Sequence, residues 1–222
     1  MSRPADAELA QPTAGDRIRD TARRLFYTQG IRAIGVDEIV KRAGATKPSL
    51  YRSFASKDEL AAAYLRDWDA AFWQRFEDAV AARPDDPRAQ LHLFLSRISR
   101  RMGRPGYRGC GLSNAAIEYP EPDHPARRVA VAAKHKLRRR LRAMTAAMGA
   151  RQPAMLGDAL LLLLEGAFVS SQLFGGDGPG AVLPRAAAQL IDAALPGRRK
   201  ARRAGAEPVR PARPVRRRRL PA

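Results

Sequence analysis

Residues 39–60 read Ile39-Val40-Lys41-Arg42-Ala43-Gly44-Ala45-Thr46-Lys47-Pro48-Ser49-Leu50-Tyr51-Arg52-Ser53-Phe54-Ala55-Ser56-Lys57-Asp58-Glu59-Leu60. Gly44-Ala45-Thr46 separates two short amphipathic segments, 36–43 and 47–54. Two helices joined by a three-residue turn containing Gly form a helix-turn-helix. In the first, Val36, Ile39, Val40 and Ala43 fall at i, i+3, i+4 and i+7, one face of a helix. In the second, Leu50 and Phe54 face inward and leave Lys47, Ser49, Tyr51 and Arg52 on other faces. Thr46 is placed to cap this helix, and Pro48 suits its first turn, where a missing N–H costs nothing. Ser56 and Glu59 have capping-box spacing for the helix that follows.

Upstream, Ile18, Ala22, Leu25 and Phe26 mark a helix over 16–29, with Asp16 as its expected cap and Gly30 as its stop. Downstream the chain stays helical. Leu60, Tyr64, Trp68, Ala71, Phe72 and Phe76 form a stripe over 57–82, and Leu91, Phe94, Leu95, Ile98 and Met102 define a fifth helix. A short helix is expected at 113–118. A seventh, capped by Asp123, carries Leu137, Leu141, Met144 and Met148, and an apolar eighth covers 153–174. A ninth covers about 181–195. The expectation is an all-α chain of about nine helices: an arm at 1–15, a DNA-binding domain at 16–60, a larger helical domain at 61–196 and a tail at 197–222.

The segment 39–60 resembles the DNA-binding domain of the tetracycline-repressor (TetR/AcrR) family, with its Ala-Gly turn, Leu-Tyr-x-x-Phe helix and Ser-Lys-x-Glu-Leu start to the next helix. Gly35 stands where a Thr is common, and Ser53 where a His is common. The resemblance implies a dimeric transcriptional repressor paired through its eighth and ninth helices, reading a pseudo-palindromic operator in double-stranded DNA. A small, largely apolar inducer would release it. It implies a cytoplasmic, nucleoid-associated protein and no enzyme. Lys47, Ser49 and Arg52 are the candidates for base edges, Arg52 foremost because its fork pairs with guanine O6 and N7. Tyr51, Lys57 and Thr46 are the candidates for phosphate.

The ligand site is expected around Trp68, Phe72, Phe76 and Phe94, although an aromatic stripe at helical spacing is more often ordinary core. Residues 109–118 resemble a Gly-Cys-x-x-x-Asn-Ala-x-x-Glu segment of some TetR-like regulators that borders the ligand cavity. The resemblance therefore adds Cys110, Asn114 and Glu118. Cys110 lies before a helix start and two residues after Arg108, surroundings that favour a thiolate. A redox- or electrophile-sensing regulator is thus one alternative.

The single cysteine excludes an internal disulfide. No Gly-x-Ser-x-Gly, P-loop or dinucleotide glycine pattern occurs. No pair of His or Cys has zinc spacing, and neither a cofactor nor a metal is expected. The apolar run 159–164 ends at Glu165, too short to span a membrane. Of the formal net charge of +19, residues 197–222 contribute +10, with 11 Lys+Arg against one acid. That Arg/Pro/Ala-rich tail has little to bury and is expected to be disordered. The other alternative is a helical interaction protein that holds nucleic acid through this tail by counterion release.

Overall fold

The structure is a computed structural model and describes residues 11–196. The tail 197–222 and most of the arm lie outside the described residues. All regular structure among the described residues is helical: α1 (Ala14–Gln29), α2 (Val36–Arg42), α3 (Lys47–Ser53), α4 (Lys57–Ala81), α5 (Pro87–Met102), α6 (Gly111–Glu118), α7 (Pro125–Ala147), α8 (Pro153–Phe174) and α9 (Leu183–Ala194). A 3-10 turn, Pro179–Val182, leads into α9.

The helix starts are set by side chains. α1 begins two residues before its expected start. Its cap is Thr13, and Asp16 is the third residue of a reciprocal capping box that bonds back to Thr13. α7 is capped by His124, whose Nδ1 accepts from the Ala126 N–H at 3.2 Å, in place of the expected Asp123. Thr46, Ser56 and Asp86 cap α3, α4 and α5 through their side-chain oxygens.

α1, α2 and α3 close over a small core of Ile18, Ala22, Leu25, Phe26, Ile39, Val40 and Leu50. Arg17 of α1 fixes the turn of the helix-turn-helix by donating to the carbonyls of Ala43 and Gly44. The first turns of α4 belong to this core through Leu60, Ala61 and Tyr64. The same helix runs on into the larger domain, where Phe72, Phe76 and Ala79 are buried.

α7 and α8 are pressed together along their lengths. A Cβ added to Gly157 would stand 2.8 Å from the Arg142 backbone N, so only glycine permits this approach. The neighbouring Asp158 ties the pair by accepting from both Arg138 and Arg142 of α7. Those two guanidiniums hold its carboxyl well below the usual carboxylate range. α8 is apolar on both sides. Leu156, Leu160, Leu164 and Phe168 are buried, while Met155, Leu162, Val169, Leu173 and Phe174 are exposed. Its length and composition would also suit a membrane span, but Glu165 at its middle is engaged with Lys134 of α7.

Candidate functional site

α3 is a seven-residue helix with one buried side chain, Leu50. Lys47, Pro48, Tyr51, Arg52 and Ser53 are exposed. Thr46 Oγ1 accepts from the Ser49 N–H and lies 3.0 Å from the Ser49 hydroxyl, which in turn accepts from Arg52 Nη2 at 3.1 Å. This chain holds the Arg52 guanidinium in place before any DNA arrives. Tyr51 stands exposed beside it. Lys47 is held at 2.8 Å from Asp37 of α2, which raises its pKa above the ordinary lysine value. Lys57 is less free than expected. Its Nζ donates to the Arg32 carbonyl at 3.4 Å, and partial burial lowers its pKa. An ammonium has three donors, so two remain for phosphate.

The expected ligand residues divide. Trp68, Phe72 and Cys110 share the wall of one cavity with Arg75, Ile98, Arg101, Tyr107 and Phe168. Phe76 and Phe94 do not reach it. They are 1% and 2% exposed and pack on each other at 4.7 Å between centroids, with Arg140 over the Phe76 ring. Asn114 is a staple, with its Nδ2 donating to the Arg108 carbonyl at 2.7 Å. Glu118 turns the other way, toward α1. Its Oε2 accepts from the main-chain N–H groups of Ile31 (2.7 Å) and Arg32 (2.9 Å). Gly30, at φ 92°, provides the turn that presents them, and a side chain there would meet the Glu118 carboxylate.

The cavity is about 30 Å³, room for about two waters. Beside it opens a larger cleft of about 450 Å³ between α1 and α4, with Arg23, Arg24 and Tyr27 on one side. Trp68, Arg75 and Arg101 belong to both. The Tyr27 ring packs tilted against Trp68, 4.8 Å between centroids, and its hydroxyl accepts from the Arg108 N–H.

Cys110 is buried at the start of α6, and Lys134 Nζ lies 3.4 Å from its sulfur. Lys134 also bonds Glu165, which accepts from Ser113. Burial opposes the Lys134 charge, but Cys110 and Glu165 outweigh it and raise the ammonium pKa. Among the described residues no group of three His, Cys, Asp or Glu could hold a metal ion.

Four features had no sequence signal: Arg75 and Arg101, whose side chains make no ion pair among the described residues, the main-chain partners of Glu118, the Lys134 contact and the Thr46–Ser49–Arg52 chain. Each depends on residues far apart in sequence or on a rotamer.

Residues 18–64 match the family model described as bacterial regulatory proteins, tetR family. A TetR-family transcriptional regulator from Streptomyces coelicolor superimposes with a TM-score of 0.74 at 30% identity, covering 82% of this chain and 94% of that one. A tetR-type regulator from Streptomyces avermitilis gives 0.71 at 33% identity, covering 82% and 98%. The curated transcriptional regulator AcuR of Cereibacter sphaeroides is 33% identical over 91 residues, 40% of this chain. That match spans 42% of AcuR's own length. The likeness to the Streptomyces structures runs through both domains, well beyond the helix-turn-helix, and so this chain belongs to the TetR family of helix-turn-helix transcriptional regulators.

Proposed function

We propose that the protein is a dimeric repressor that reads a pseudo-palindromic operator through two copies of α3 and leaves it when a small ligand binds the larger domain. On this reading residues 16–60 are the DNA-reading unit and 61–196 the ligand-binding and dimerisation unit. The observation that carries it is the Thr46–Ser49–Arg52 chain, which holds a guanidinium ready on an exposed helix next to the turn. Two such helices about 34 Å apart, or a multiple of that, meet successive turns of one face of DNA.

DNA fragments selected from a genome with the purified protein supply the operator for the test. Arg52→Ala should cost about 1–3 kcal/mol on that operator and relax one base position. Lys57→Ala should weaken all sequences alike and lower the salt slope by about one unit. Equal losses by both variants on operator and random DNA would overturn this division of roles.

α6 supports the coupling between ligand and DNA. Its N-terminus lies on the cavity wall through Cys110, and its C-terminus grips the α1–α2 loop through Glu118. The expected cost of Glu118→Ala is about 1.5–3 kcal/mol, the range for hydrogen bonds to a charged group. The amides of Ile31 and Arg32 should then exchange faster with solvent, and operator affinity should fall. Glu118→Gln, which keeps an acceptor oxygen, should lie between. Unchanged exchange at both amides in Glu118→Ala would remove Glu118 from the coupling.

A further inference from the structure

We infer that the regulatory site takes a small amphipathic anion, a carboxylate or a group of like charge on an alkyl or aryl body, with Arg75 and Arg101 as its counter-charges. This rests on the ligand-responsive reading above and names the chemistry of its ligand.

Arg75 comes from α4 and Arg101 from α5, and both are half-buried. Several other arginines hold acids: Arg19 holds Asp67, Arg88 holds Asp192, and Arg138 and Arg142 share Asp158. Arg75 and Arg101 have no such partner. Among the described residues neither side chain makes an ion pair or a hydrogen bond. Burial, and then the charge of Arg101, push the Arg75 pKa below the ordinary arginine value. A guanidinium drawn from water without a counter-ion is destabilising. The fold keeps two of them together.

They stand where a ligand would need them. Both belong to the wall of the small cavity and to that of the larger cleft. The cleft, about 450 Å³, is within the usual range of ligand sites. The packed Tyr27 and Trp68 rings give it an aromatic side, and Phe72 and Phe168 give the cavity an apolar one. An anionic head placed between the arginines restores what burial took from them, in the paired geometry that guanidinium and carboxylate favour. The body then lies against the rings. A neutral ligand would desolvate both charges further, and a cation would be repelled. The nearby acids do not change this balance, because Asp67 is committed to Arg19 and Glu165 to Lys134. Since α1 forms one side of the cleft and α4 the other, the ligand would touch the DNA-reading unit directly.

The test uses the full chain without DNA. It is titrated with 4-phenylbutyrate and octanoate and with the amide of each, followed by tryptophan fluorescence and calorimetry. Each carboxylate should bind saturably and about tenfold or more tightly than its amide, the value of one charge-assisted pairing. Arg75→Met and Arg101→Met should abolish that preference, and Arg100→Met, at an exposed neighbour on α5, should keep it. Arg75→Met should also raise the Tm of the ligand-free protein, because an uncompensated charge is removed; this separates lost binding from lost folding. The inference is overturned if neither carboxylate binds, if acid and amide bind equally, or if the preference survives both methionine variants. A separate arm adds the carboxylates to the operator complex. Binding without release of DNA would leave the anion site standing and overturn the inducer reading instead.

Discussion

On the proposed dimeric reading, Leu162→Glu should turn the protein into a monomer and lower operator affinity by about 10²–10⁴-fold, the loss expected when two linked half-site contacts become one. Leu162 is 73% exposed on α8, and Leu173 is 72% exposed. Met155, Leu162 and Val169 are spaced by seven residues, and Leu173 follows by four, so they share one helix face. Beside them Leu190 of α9 is also exposed, and a groove of about 520 Å³ runs between the two helices past Met155 and Leu156. An apolar stripe of this extent marks an interaction surface. Glutamate at its centre would place two like charges across a two-fold axis. Because the side chain touches little within its own chain, helicity by circular dichroism should stay unchanged. Sedimentation and operator titration give the readout. A variant that remains dimeric would move the pairing surface elsewhere.

Phe76→Ala should cost about 3–5 kcal/mol of folding stability, the usual range for emptying a buried aromatic site. This is a large part of the total of about 5–15 kcal/mol that holds a domain together. Phe76 is 1% exposed and is surrounded by Trp73, Phe94 and Arg140. None of these rings can collapse into the space without leaving its own contacts. Urea unfolding should show a lower midpoint with an unchanged slope, and binding at the Arg75–Arg101 site should survive under folding conditions. A loss below about 1 kcal/mol would return Phe76 to the list of cavity residues.

The helices were legible where apolar spacing and stop signals agreed. α8 was bounded in sequence by Pro153 and the glycines after Phe174, and the structure keeps both limits. The caps were less legible. Asp16 and Asp123 are good capping residues, but Thr13 and His124 lie closer to where the chain turns. The exposed face of α3 could be read because a helix next to a tight turn has only one side to bury. The proposed ligand site could not be read in this way. An aromatic stripe has the same period whether it fills a core or lines a cavity, so Phe72 and Phe76 looked alike. Nothing in the sequence singles out Arg75 and Arg101, and only the fold shows that neither makes an ion pair among the described residues. Glu118 meets partners 86 and 87 residues away, beyond any local pattern.

The joint at Glu118 rests on main-chain amides of residues 31 and 32, with a turn at position 30. Side chains at 31 and 32 take no part in those two bonds. At this joint the loop is held by its backbone, while the Arg32 side chain adds an ion pair to Glu121 and Tyr27 accepts from the Arg108 N–H. The exposed residues of α3 can therefore change without altering the two bonds to Glu118. On the proposed reading, a chimera that exchanges only α2 and α3, residues 36–53, for those of another family member should transmit the signal of this chain to the operator of the other, because the turn at Gly30 and the α1 side of the cleft are kept.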